Sequence, residues 1–328
     1  MDYFVGYQMN NSAFLQDILN NRERIREVYF SWGSYANGRN SQLRQKGLAP
    51  WEAQQLLETD LSLLTKAEIP LNLLFNAMCY GKNSQSRSFF EGIGEAVDYV
   101  QRKFSLSSVT TTSPLIAKFL KSNFTGLDIR ASVNMDIGTP EGMDYVKEFF
   151  DSFYLQREKN RDLNAVRQLR RWCDDHGKKL YLLANSGCLN HCSARVFHDN
   201  LVAHEEEIGA MDNGYQFKGI CGSYLKENPA AAVYSTSYIR PEDVTLYEGL
   251  VPAMKLASRV NQDPSRVLRA YLQGSYSGST LDLLEPNHTA TLYPRLLENR
   301  MLTATVTDGR LEYGNLENAL ICLEETLC

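Results

Sequence analysis

Apolar residues in this chain fall into short runs rich in β-branched and aromatic side chains. Longer stretches separate them, with apolar positions recurring every three or four residues. The short runs are YFVGYQ (3–8), EVYFSW (27–32), LNLLFNA (71–77), SVTTT (108–112), LDIRASV (127–133), SFYLQ (152–156), KLYLLAN (179–185) and AMKLAS (253–258). Between most of them lie amphipathic segments such as PWEAQQLLETDLSLLTKA and LNAVRQLRRWCDDHG. The second segment closes on His176 and Gly177, a basic residue and then a glycine suited to the left-handed turn that ends a helix. Strands alternating with helices predict parallel pairing through right-handed crossovers. About eight such units predict an α/β fold, a single (β/α)8 TIM-type barrel. An open doubly wound sheet is the alternative, but VGYQMNNS lacks the glycine-rich first turn that such a sheet calls for. On this reading residues 1–284 form the barrel, with PSRVLRAYLQGSYSGSTLDLL as its closing helix, and residues 285–328 form a short C-terminal appendage.

The chain has 328 residues, 43% of them apolar and 22% charged, which is globular composition. No apolar stretch approaches the roughly 18 residues of a membrane span. The opening MDYFVGYQMNNSAF has neither a basic start nor a long apolar run, so a soluble, cytoplasmic protein without a membrane partner is expected. A net charge of −5 argues against a nucleic-acid partner, because phosphate neutralisation needs a basic surface. Arg167, Arg170 and Arg171 in VRQLRRW read as a solvated helix face.

Seven cysteines stand at 79, 173, 188, 192, 221, 322 and 328, and their odd number without an export signal speaks against a disulfide framework. In a barrel of this kind chemistry gathers at the carboxyl ends of the strands. The third strand is followed by Asn76 and Cys79, the fifth by Asn134, and the sixth by Asn160, Arg161 and Asp162 in REKNRD. The seventh is followed by Asn185, Cys188 and Cys192 in NSGCLNHC, and its connection to the eighth carries Cys221 in KGICGSY. Cys173 falls mid-helix and reads as a packed thiol. Any one cysteine alone reads as a small buried hydrophobe. The four-residue spacing of Cys188 and Cys192 predicts both sulfurs on one side of a helical turn. With Cys79 and Cys221 expected at the same rim, a four-thiolate metal site is the preferred reading. A zinc finger is excluded by spacing, since five residues separate Cys192 from His198, far short of the roughly 12 of that motif. A radical adenosylmethionine site is excluded by Arg195, which stands where the third cysteine of CxxxCxxC belongs. Structural zinc and an iron–sulfur cubane both accept four cysteines, and spacing does not separate them.

Polar candidates accompany the thiols. Arg161 offers a guanidinium fork suited to a substrate carboxylate, with Asp162 to orient it or act as a base; alternatively the two close the rim as an ion pair. His198 is the candidate acid–base group, since imidazole titrates near neutrality, or else it bonds a loop carbonyl. Asn160, Asn185, Asn200 and Arg240 are candidate substrate contacts, while Glu242 and Asp243 read as an ordinary helix start after Pro241. The loop SWGSYANGR is a candidate lid with Trp32 as an aromatic wall and Arg39 as a charge, and Lys255 and Arg259 are placed to reach the mouth.

Cysteines after strands three and seven, NRD after strand six, and YIRPEDVTLYEGLVPAMKLASR before the last helix together resemble peptidase family U32, long known as collagenase-like peptidases. The resemblance covers most of residues 1–285. It implies an iron–sulfur protein that hydroxylates without molecular oxygen, as characterised members do on ubiquinone precursors or RNA bases. It implies Cys79, Cys188, Cys192 and Cys221 as ligands of a [4Fe–4S] cluster, with Cys188 and Cys192 matching the family's CxxxC pair. It also implies a small hydroxylated oxygen donor such as prephenate, and the acidic balance favours a small-molecule substrate over RNA. Two departures stand out: Ser193 replaces the proline common after the second cysteine, and the tail keeps only Cys322 and Cys328, read as non-ligands. Two alternatives stay open. One is a peptidase, as the family name says, with Cys188 as the nucleophile, although the chain has no HExxH and no GxSxG. The other is a non-catalytic cluster-bearing subunit. Some members work as heteromeric pairs, so a homodimer or a heterodimer with a related subunit is also open.

Overall fold

All eight apolar runs are strands of one closed parallel barrel in the computed structural model, which describes residues 1–38, 48–212, 214, 215, 217 and 219–323. In order they are β1 (Asp2–Gly6), β2 (Ile25–Phe30), β3 (Leu71–Phe75), β4 (Leu106–Thr111), β5 (Asp128–Ala131), β6 (Ser152–Tyr154), β7 (Lys179–Leu183) and β8 (Ala253–Leu256). Pairing of Asp2 through Val5 with Ala253 through Leu256 closes the ring. The crossover helices are α1 (Ser12–Asn20), α2 (Pro50–Lys66), α3 (Arg87–Lys103), α4 (Pro114–Asn123), α5 (Pro140–Asp144) and α6 (Leu163–Asp175). The long β7–β8 connection carries α7 (Arg195–Ala203), α8 (Glu205–Gly209), α9 (Cys221–Glu227) and α10 (Ala231–Tyr234), and α11 (Pro264–Gln273) follows β8. No helix among the described residues is long and apolar enough to cross a membrane.

Short polar side chains start these helices where the strands end. Ser113 and Asp263 accept the amides of Ile116 and Arg266, each just before a proline at the first helical position. Asp162 accepts the Ala165 amide in the same way. At the other end of α11, Gly274 takes φ of 67°, a left-handed conformation that glycine adopts at no steric cost. Cys173 is buried on α6, where burial pushes its thiol up to about 12.

Period-two alternation divides every strand between two cores. One face, including Val28, Leu73, Val109, Phe153, Leu182 and Leu256, packs under the helices. The other fills the barrel interior, where an apolar layer of Phe4, Tyr29, Leu74, Tyr154 and Tyr181 is bracketed by charge. Beneath it Arg130 donates to Glu27 Oε1 at 2.9 Å and Asp128 Oδ2 at 2.9 Å, with Ser152 Oγ at 3.3 Å. Its guanidinium lies 4.9 Å from the Phe4 ring centroid and 4.7 Å from that of Tyr181. Nearer the mouth, the Lys255 ammonium sits 4.0 Å from the Tyr29 centroid and 5.0 Å from that of Tyr154. Burial, aided by the like charges of Arg259 and Arg130, pushes Lys255 down to about 7.

After α11 the chain turns back over the barrel. It forms α12 (Thr289–Leu292), a two-stranded pairing of β9 (Arg295–Leu297) with β12 (Leu320–Cys322), the hairpin β10 (Thr303–Thr307) with β11 (Arg310–Gly314), and α13 (Leu316–Ala319). Residue 285 lies against the barrel mouth: Glu285 donates its amide to Asn185 O at 3.0 Å and accepts from Gly187 N at 2.9 Å. The hairpin docks on the β6–α6 turn through Leu311 N to Arg161 O and Leu163 N to Gly309 O, both 2.8 Å. Cys322 is disulfide-bonded, which the odd cysteine count did not lead one to expect.

Two expectations follow from the barrel interior. Glu27→Ala leaves the Arg130 charge with Asp128 alone and should cost about 3 kcal/mol in urea unfolding; a loss below about 0.5 kcal/mol would show the pair to be dispensable. Lys255 binds fewer protons folded than unfolded between about pH 7 and its ordinary value of 10.5. Stability must therefore rise with pH across that window and stay flat, as far as Lys255 is concerned, below it. Lys255→Met should remove this rise and be more stable than the parent near pH 7, as read from paired urea titrations at each pH.

Candidate active site

Cys188 and Cys192 lie in an irregular segment between β7 and α7, not on a helical turn as their spacing suggested. The reason is tertiary. Ser186 bridges Glu285, Leu189 bridges Thr236, and His191 takes a left-handed φ of 56°, so this segment is held by cross-chain pairing instead of an i to i+4 ladder. Arg195 anchors its far end, donating to Glu158 Oε1 at 2.6 Å and Asp136 Oδ2 at 2.5 Å. Cys221 opens α9 nearby. Burial raises its thiol, and the charges of Cys188 and then Cys192 push it further up, so three thiols share one neighbourhood.

Cys79, after β3, has a different partner. The nearby His204 ring, joined by the Gly81 amide at 3.4 Å, holds its thiol below the ordinary range. The thiol in turn raises His204, whose Nδ1 also lies 3.1 Å from Glu207 Oε2. Cysteine, imidazole and carboxylate thus stand in a row. Among the described residues, no three His, Cys, Asp or Glu side chains are gathered closely enough to hold a metal ion.

At the centre of the mouth is a cavity of about 50 Å³ over the interior aromatic layer, lined by Asn76, Asn134, Arg157, Lys255, Arg259 and Glu285 among others. Arg157 and Arg259 are buried, and each donates to an asparagine: Arg157 Nη2 to Asn134 Oδ1 at 2.6 Å, and Arg259 Nη2 to Asn37 Oδ1 at 2.8 Å. The placement of Lys255 and Arg259 at the mouth follows the sequence reading. Arg157 escaped it. Its signal is its place as the first residue of the REKNRD turn directly after β6, at the carboxyl end of a strand.

A second, polar cleft of about 600 Å³ lies to one side, where Arg161 and Asp162 face Glu158, His191, Arg310 and Glu312. Here the fork of Arg161 is already engaged. Its Nη2 donates to the carbonyls of Val233 at 3.2 Å, Tyr234 at 3.1 Å and Thr236, and the guanidinium lies 5.2 Å from the Tyr313 centroid. Arg161 therefore ties the end of α10 to β11, Asp162 caps α6, and its Oδ2 stands 3.9 Å from Arg310. Arg240 is also committed, paired with Asp243 at 2.6 Å and donating to Leu302 O at 2.5 Å.

Asn160 and Asn185 are fully buried and structural in their contacts. Asn160 donates to Leu183 O at 2.7 Å, and Asn185 clamps Ala257 through both its amide atoms while donating to Leu283 O at 2.8 Å. Asn200 folds back to Val196 O at 2.8 Å along α7. His198 is exposed on α7, its ring 5.6 Å from that of Phe217. Trp32 is not a wall of the mouth; it is buried against Phe30, Tyr99 and Phe104 at the helical layer. Arg39 lies outside the described residues.

No family model matches the chain. It is 26% identical over 288 residues to the uncharacterized protease MJ1657 of Methanocaldococcus jannaschii, covering 83% of this chain and 79% of that one. It also superposes on the structure of the U32 peptidase Mk0906 with a TM-score of 0.57 and 13% identity, covering 78% of this chain and 92% of that one, a likeness of fold. Taken with the separated motifs after strands three, six and seven, this relative and this shared barrel agree with the resemblance to peptidase family U32.

Proposed function

We propose that the chain is an iron–sulfur oxidoreductase acting on a small molecule, of the oxygen-independent hydroxylase kind. What supports this reading is that Cys188 and Cys192, from one segment, lie near enough to Cys221, from another, for their charges to push its thiol up. Ionised together they repel one another, and a cationic inorganic centre is the partner that offsets such repulsion. In chemistry four thiolates suit a [4Fe–4S] cluster, and Cys79 would be the fourth ligand. The thiols as they stand do not close around an ion. When bound, the cluster would supply electron transfer or hold the loops. The chain's own residues bind and orient: Arg195 pins the Cys192 segment, and the asparagines and cations of the central cavity receive the substrate.

A second reading, a thiol hydrolase, is favoured by one specific observation. Cys79, His204 and Glu207 form a chain of thiol, imidazole and orienting carboxylate, the arrangement of nucleophilic catalysis. The names of the relative and of the structural neighbour, a protease and a peptidase, agree with it.

Two measurements separate the readings. Protein purified without oxygen should be brown and carry about four irons per chain, and Cys188→Ser or Cys192→Ser should abolish both. Colourless protein holding zinc would instead make the thiols a structural site. Hydrolysis of an unstructured peptide should be absent; if it is present, survives iron chelation, and falls by at least about a hundredfold in Cys79→Ala and His204→Ala, the hydrolase reading replaces the first.

A further inference from the structure

The central cavity is lined by buried donors that no partner among the described residues satisfies. Arg157, 6% exposed, uses Nη2 on Asn134, while its Nε and Nη1 are buried with no hydrogen-bond partner. Lys255, 7% exposed, has aromatic rings on its flanks, and its ammonium makes no hydrogen bond or ion pair to any described residue. Arg259 joins them, donating to Asn37 and, at 3.4 Å, to Ser31. Against three cations the lining holds one carboxylate, Glu285, which accepts the Val260 amide at 3.3 Å. Buried N–H groups without partners are costly, and in native proteins they mark a missing ion, water or ligand. Nothing in packing alone accounts for two such cations facing one space.

We propose that this cavity binds the carboxylate of a small organic acid, held between Arg157 and Lys255. Charge excludes a cation as the occupant. Size and shape choose among anions: about 50 Å³ above Tyr29, Leu74 and Leu183 admits a flat carboxylate and its carbon neighbour. A tetrahedral phosphate would press an oxygen against that apolar floor. Asn76 and Asn134 at the rim offer amide groups to the rest of the acid. Arg161, whose Nη2 is held by three carbonyls, lines the side cleft and not this cavity, where Arg157, four residues upstream, takes the role. The site stands independently of the thiols, so its test does not require a cluster.

The full-length chain, both as purified and after iron chelation, is titrated calorimetrically with pyruvate and with malonate. Inorganic phosphate and chloride at matched ionic strength are the controls. Saturable binding of at least one carboxylate in both preparations, weakened at least tenfold in Arg157→Met and in Lys255→Met, is the expected result. Binding no tighter than phosphate or chloride, or equal binding by variants that retain the parent circular dichroism and a cooperative melt, overturns it. Should Arg157→Met fail to fold, Lys255→Met decides alone, since removing a buried unpartnered ammonium stabilises the barrel.

Discussion

A parallel barrel of eight short strands encloses an interior that side chains must fill, and here that interior is charged. Arg130 enters from β5 and is answered by Glu27 across the barrel and by Asp128 two residues before it. Phe4, Tyr154 and Tyr181 cover it, and their faces accept the guanidinium where water cannot reach. This sealed plug is what lets the barrel close below. It also places an aromatic layer at mid-height, and Lys255 rests on that layer's upper side, sharing Tyr154 with Arg130. One cation is matched within the fold and the other is left facing the mouth. That asymmetry separates the structural end of the barrel from the end where ligands enter.

Around the mouth two groups of chemistry sit on different supports. The thiols of Cys188, Cys192 and Cys221 belong to the long β7–β8 connection, held by β-bridges and by the Arg195 ion pairs. The cations of the central cavity rise from β8 and from the β6 turn, inside the rigid barrel. The first group is set by a long connection, the second by β8 and the turns that directly follow β6 and β8. Cys79 follows β3 and has His204, a residue of the same long connection, as its neighbour.

Several polar residues that looked chemical serve architecture. Arg161, Arg240 and Asn185 are each buried or half-buried with their donors spent on backbone carbonyls or a neighbouring carboxylate. In a barrel whose C-terminal segment folds back on the mouth, loop carbonyls need donors, and long polar side chains after the strands supply them. The same residue types would bind a substrate if those carbonyls were elsewhere. Only the partner distinguishes the roles, and a partner such as Leu302 or Leu283 comes from far along the chain.

The eight strands were legible because alternation along a strand and periodicity along a helix are local properties, and each strand found lies within two residues of its apolar run. That Cys79 follows β3 and that Cys188 and Cys192 follow β7 was legible for the same reason. Three matters were settled only by the folded chain. Cys188 and Cys192 left the expected helical turn because Thr236 and Glu285 pair with their segment, Arg157 displaced Arg161 at the central cavity, and His204, instead of a second sulfur, met Cys79. Each depends on where a distant segment closes over the barrel. Sequence spacing carries no distance across such a closure, whereas within one strand it carries nearly all of it.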